Sequence, residues 1–196
     1  MATILKDILL QGISQNILPG NEQESRDWFR DKASKISSVN RNTLLNSDYV
    51  TGNIVPGFMY MFTYDPKGKK ELPYYDTFPL VFPFDVTTTG FTGLNLHYLP
   101  KNLRAELMDG LYAFTNGKIT DKTQVIFNYK LLKNASATTA FQPCVKRYLY
   151  KQVRSKFLMI PATEWDIALF LPTERFVKAS INKVHRDSRE IIGYGL

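Results

Sequence analysis

The chain has 196 residues, 44% of them hydrophobic, 13% aromatic and 22% charged, with a formal net charge of +7. That length supports one domain with a sizeable core, and the aromatic content excludes disorder throughout. No apolar run approaches the ~18 residues of a membrane span, and Lys6 and Asp7 interrupt the N-terminal apolar stretch, so neither a transmembrane helix nor a signal peptide is expected.

In chain order, Ile4, Leu5, Ile8, Leu9 and Ile13 recur at helical spacing and predict a first helix ending by Leu18-Pro19-Gly20. Asn21 followed by Glu24 resembles a capping box and predicts a second helix with Trp28, Phe29, Ala33 and Ile36 as its apolar stripe. Residues 37–55 are rich in Ser and Asn and read as a linker or extended arm with one helical turn near Leu44-Leu45. Residues 1–53 therefore form an expected N-terminal helical arm, with Trp28 and Phe29 as interface candidates. Docking on a neighbouring subunit and docking on the chain's own body weigh equally.

The body is expected over 54–196. Its first part, 56–99, reads as β-rich. Phe58 to Tyr64 is a short apolar and aromatic run bounded by turns, as in a buried strand. Phe78 to Val86 carries Pro79 and Pro83, so an edge or bulged strand is expected there. A third strand spans Phe91 to Tyr98. Short bent strands of this kind suggest a small SH3-like β-barrel or sheet flanked by helices, hence an α+β fold class. Residues 100–196 read as mainly helical. Leu103, Leu107 and Leu111 make one stripe, and a further helix follows Thr120-Asp121. Val145, Tyr148, Leu149 and Val153 suggest another helix, Phe157 to Ile160 a short strand, and Val177, Ile181 and Val184 a last helix.

Motifs for chemistry are sparse. Gly68-Lys69-Lys70 and Gly117-Lys118 lack the upstream glycine and the hydroxyl of a P-loop. His97 and His185 have no ligand-like neighbours at short spacing, so no metal and no cofactor is expected. The single cysteine, Cys144, excludes an internal disulfide, points to a reducing compartment and lacks a visible base, so it reads as structural. Asp65, Asp76 and Asp85 lie near turns, where aspartate is common for backbone reasons. No enzymatic activity is expected.

The charge is uneven. Residues 1–53 carry six basic and six acidic side chains, whereas residues 140–196 carry ten and five. Lys146, Arg147, Lys151, Arg154 and Lys156 fall close together, and on a helix Arg147, Lys151 and Arg154 would share one face. Such a face would grip phosphates without reading bases, with Tyr150 beside Lys151 to interleave stacking. A solvated amphipathic helix explains the same pattern. Lys178, Lys183, Arg186 and Arg189 form a second, equally ambiguous set.

Pro56-Gly57 with Tyr60 and Tyr64-Asp65, Leu72-Pro73-Tyr74-Tyr75-Asp76, Phe78-Pro79-Leu80 and Gly93-Leu94-Asn95-Leu96-His97-Tyr98-Leu99-Pro100 resemble small virion proteins of large contractile-tailed, T4-like bacteriophages. Arg147-Tyr148-Leu149 and Glu164-Trp165-Asp166 are similar as well. The resemblance spans about 56–190 and leaves the N-terminal helices outside. It implies a virion protein made in the host cytoplasm, without membrane contact. Tail, baseplate and head–tail junction components are among such proteins, and some are labelled DNA end protectors. The leading expectation is a structural subunit acting through assembly contacts with other virion proteins. The alternative is a non-specific duplex DNA-end binding protein. The resemblance carries no catalytic residues over.

Overall fold

The computed structural model describes residues 3–20, 22–114, 132–134, 136–137 and 139–193. The helix expected after Thr120-Asp121 lies outside them.

Helix α1 spans Ile4–Ser14 and is capped by the Thr3 hydroxyl, which accepts from Lys6 N at 3.4 Å. Its buried face is Leu5, Ile8 and Gly12, whereas Ile13 stays exposed. A side chain at Gly12 would meet the Phe29 ring at 2.5 Å, so glycine lets α1 lie against α2, Gln23–Ser34. Asn21, the expected cap of α2, lies outside the described residues, and Glu22 holds the N-cap position with no side-chain bond. Phe29 is 1% exposed within the chain's own core, and Trp28 meets it edge-on at 5.0 Å. Both interface candidates therefore pack on the chain's own body. A short helix α3, Arg41–Leu45, falls within the expected linker and is capped by Asn40.

The main sheet is antiparallel and six-stranded, in the order β1-β7-β2-β4-β5-β6. Its strands are β1 Val50–Thr51, β2 Met59–Met61, β4 Leu80–Val86, β5 Gly90–Asn95, β6 Val145–Leu149 and β7 Phe157–Ile160. Strands β3 Tyr75–Asp76 and β8 Phe176–Val177 make a separate two-stranded sheet. Period-2 alternation splits the side chains between two faces. Met59, Met61, Leu80 and Phe82 join the large core under the helices, whereas Tyr60, Phe62, Val81, Phe91, Tyr148 and Phe157 form an aromatic cluster on the other face.

The fold is α+β, but the sheet does not close into a barrel: β1 and β6 remain its edges. Across the gap an isolated bridge joins Tyr64 to Val153. Of the two alternatives for the proline-bearing strand, β4 is the bulged one: it sits inside the sheet, and its register shift between Pro83 and Asp85 absorbs the missing donor. Residues 145–153 form a strand and a 3-10 turn, Tyr150–Gln152, in place of a helix. Pairing with Gly90 to Leu94 of β5 won over helical periodicity there.

Helix α4, Lys101–Phe114, and helix α5, Trp165–Phe170, complete the helical layer with α1 and α2. Helix α6, Ile181–Ile192, starts at the Ser180 cap and ends at Gly193 with φ of 80°. Val177 belongs to β8, and of the expected stripe Val184 is buried and Ile181 exposed.

The helices are joined by buried charge. Arg30 Nε donates to Asp166 at 2.7 Å and Arg30 Nη2 to Asp109 at 2.6 Å, while Tyr112 donates to Asp166 at 3.0 Å. Burial disfavours the Arg30 charge, but the two carboxylates outweigh it and hold its pKa above the ordinary value. Arg30→Ala strands Asp166 without its cation and should cost about 3–5 kcal/mol in a urea titration.

Glu164 provides a pH-dependent test. Burial raises its pKa to about 7, against a weaker pull downward from Lys6. The fold thus favours the protonated acid. The associated stability is full below the usual value of 4.5 and is lost as pH rises through about 7. Glu164→Gln should therefore raise the melting temperature at pH 8 and leave it unchanged at pH 4.

Candidate nucleic-acid interface

The basic segment runs along one end of the sheet. Thr92 pairs with Arg147 and Gly93 with Lys146, so alternation sends these two side chains to opposite faces of β6. Arg147 is exposed, and its guanidinium donates to the hydroxyls of Thr87 at 2.9 Å and Thr89 at 3.3 Å. The β4–β5 turn thus steadies it without neutralising it. Lys151 lies on the 3-10 turn, and Lys156 just before β7; both are exposed. Arg154 donates to the Lys151 carbonyl at 3.2 Å and lies 3.7 Å from Asp65. Among the described residues no carboxylate lies within ion-pair distance of Arg147, Lys151 or Lys156. Arg147, Lys151 and Arg154 do not share a helical face. They follow one another along a strand, a turn and a loop. Tyr150 rests against Phe91 at 5.9 Å between ring centres, beside Lys151.

Lys146 sits differently. It is half-buried, with Nζ 4.2 Å above the centre of the Tyr98 ring. Burial lowers its pKa from the ordinary lysine value. It lines a cleft of about 400 Å³ between β6 and residues 64–76, with Tyr64, Tyr74, Tyr75, Tyr98, Tyr148 and Arg147 among its walls. Sequence reading singled out Tyr74-Tyr75-Asp76 and His97-Tyr98 as parts of the segments that carry the resemblance. It did not bring them to Lys146, because the long stretch of chain from Tyr98 to Lys146 hides the contact.

A buried polar network anchors this cleft. Asp76 accepts from the backbone N–H of Phe78 at 2.9 Å and of Arg175 at 3.3 Å, and from Asn95 Nδ2 at 3.3 Å. Its Oδ2 lies 2.7 Å from His97 Nδ1, and His97 Nε2 lies 3.1 Å from the Thr173 hydroxyl. The spacing resembles an acid–base relay, yet His97 and Thr173 are both 0% exposed. Arg104, also 0% exposed, donates to the carbonyls of Leu99 and Leu169 and pairs with Glu174 at 2.7 Å. Burial would push Glu174 up, but the His97 ring and the Arg104 guanidinium outweigh it and bring it down to about 2. Cys144 is fully buried, its thiol pushed up to about 12 by burial. A reactive thiolate does not form there at neutral pH.

The second basic set is partly engaged. Lys183 pairs with Asp187 at 2.8 Å, and Lys178 donates to the carbonyls of Lys70 and Leu72. Arg186 and Arg189 are exposed on α6. Among the described residues no group of three or more His, Cys, Asp or Glu could hold a metal ion, and no helix is long and apolar enough to cross a membrane.

A family model described as phage T4 terminal DNA protecting protein matches residues 8–187. The chain belongs to this family. The match starts inside α1, so the N-terminal helices fall within the family pattern and not outside it. No curated protein and no solved structure gives a significant match. Membership in a DNA-protecting phage family gives the exposed cations from Arg147 to Lys156 a context that charge alone did not. The tail and baseplate labels gain nothing from it.

Removing the anchor should cost fold, not chemistry. Asp76→Ala deletes the acceptor of four hydrogen bonds and leaves His97 Nδ1 and the backbone N–H groups of Phe78 and Arg175 without the partner it supplied. It should lower the stability measured by urea unfolding by about 3–5 kcal/mol.

Proposed function

We propose that this protein is a non-enzymatic virion protein that binds and protects the ends of duplex DNA. The family match over residues 8–187 carries the reading. The row of Arg147, Lys151, Arg154 and Lys156 supports it, because exposed cations with few carboxylate partners are free to replace the counterions of phosphates. Bonds of this kind position a protein on DNA and carry no base sequence, which suits a ligand defined by its end. The burial of the relay-like arrangement supports the non-enzymatic part of this reading. Thr173 Oγ1, the hydroxyl at the end of the Asp76–His97 pair, has no exposed surface from which to attack a substrate.

Assembly with other virion proteins, including at a tail, baseplate or head–tail junction, is the second reading. It rests on Leu10 and Ile13, which are 51% and 42% exposed on α1.

The test compares binding to a blunt linear duplex with binding to the same duplex closed by hairpins at both ends. The wild type should prefer the open duplex, and its affinity should fall linearly with salt on logarithmic axes. Arg147→Gln/Lys151→Gln should weaken binding and reduce that slope by roughly two, one for each phosphate no longer neutralised. Equal binding of open and closed duplexes would overturn the end-protection reading. A salt slope unchanged in the variant would remove this edge as the DNA-binding surface.

A further inference from the structure

We propose that the tyrosine-lined cleft beside β6 takes up an unpaired terminal nucleotide of the DNA end, with its base stacked on Tyr75 and its phosphate held by Lys146. This deepens the end-binding reading and rests on it. The cleft lies directly behind the exposed cations, because Arg147 belongs to both.

Three observations carry the assignment. First, the volume of about 400 Å³ falls in the range of about 300–1,000 Å³ typical of small-ligand sites. Second, Tyr75 is half-buried and makes no ring contact among the described residues, whereas Tyr98 and Tyr148 are packed on other rings. A half-buried tyrosine that borders a cleft and has no ring partner among the described residues is a stacking platform that every base can use. Third, Lys146 is a partly desolvated cation whose close electrostatic companion among the described residues is the Tyr98 ring and not a carboxylate. Burying an ammonium without a carboxylate is unfavourable, and a phosphate entering the cleft relieves that. Asp76 also borders the cleft, but its carboxylate is 1% exposed and bonded inward to His97, Asn95 and two backbone N–H groups. The anion therefore meets Lys146 without meeting a free acid.

An end is the natural source of such a nucleotide. A base inside a duplex must be unstacked and unpaired to reach a pocket, while an overhanging or frayed one is already free. The cleft thus gives a physical basis for preferring an end over the duplex interior, which phosphate binding alone does not supply.

The experiment measures affinity by fluorescence polarisation for three duplexes of equal length: hairpin-closed at both ends, blunt, and with a one-nucleotide unpaired overhang. The wild type should bind the overhang about ten-fold more tightly than the closed duplex, with the blunt duplex between. Tyr75→Leu keeps apolar bulk and removes the stacking face, so it should bind all three duplexes at the level of the closed one, while Tyr75→Phe behaves as wild type. Lys146→Gln, whose melting temperature is compared with wild type beforehand, should lose the same preference and serves as the second variant if Tyr75→Leu is unstable. Preference for open ends that persists in both Tyr75→Leu and Lys146→Gln overturns the cleft and leaves end protection standing. A wild type indifferent to whether the ends are open overturns both.

Discussion

The cleft side of the molecule depends on one buried carboxylate. Asp76 lies on the short β3–β8 sheet, outside the main sheet, and its hydrogen bonds reach the end of β5 through Asn95 and His97. Asn95 in turn donates to the Tyr148 hydroxyl at 3.0 Å, so the same network fixes the inner face of β6. Residues 64–76 and β6 are the two walls of the cleft, and Asp76 is the group that ties one to the other. A buried carboxylate is tolerable only when its lone pairs are filled, and here four donors fill them. The placement of Tyr75 and Lys146 on one cleft follows from that requirement.

A second buried charge sets the opposite side. Arg30 reaches from α2 to Asp109 on α4 and Asp166 on α5, and Arg104 reaches from α4 to the carbonyl of Leu169. These bonds hold the helical layer over the sheet, with Phe29 in the core between them. The N-terminal helices thus share the core of the rest of the chain. Apolar burial supplies the driving force, and the charged groups select which helix faces meet, because a mispaired arrangement would leave a buried ion uncompensated.

Much of this was readable from the residues. The apolar and aromatic run Phe58 to Tyr64 announced a buried strand, Phe157 to Ile160 another, and the two N-terminal helices their stripes. Pro83 announced a bulge but not a place inside the sheet, since the register shift that tolerates it depends on β5. The basic segment was legible as chemistry and misread as geometry. Tyr148, Leu149 and Val153 fit a helix by spacing, yet a whole complementary strand waited on β5, and long-range pairing outweighs a short periodic signal. Arg30, Asp109 and Asp166 look like solvated charges along the chain, since only the tertiary fold reveals that they meet. The cleft was invisible for the same reason.

The strand geometry changes what the cations can mean. Charged residues on an edge strand often act only to keep it from pairing with another chain, and exposed Arg147 fits that role unaided. Lys146 does not. Its side chain points to the other face, loses solvent and meets a tyrosine ring in place of a carboxylate. Edge protection requires exposure, and Lys146 gives exposure up. A lysine placed at a cost in solvation, in a cleft that it shares with half-buried Tyr75 and near a row of exposed cations, is arranged for an anion that arrives with an aromatic group attached. A nucleotide is such a ligand, and a DNA end is where one is offered without breaking the duplex.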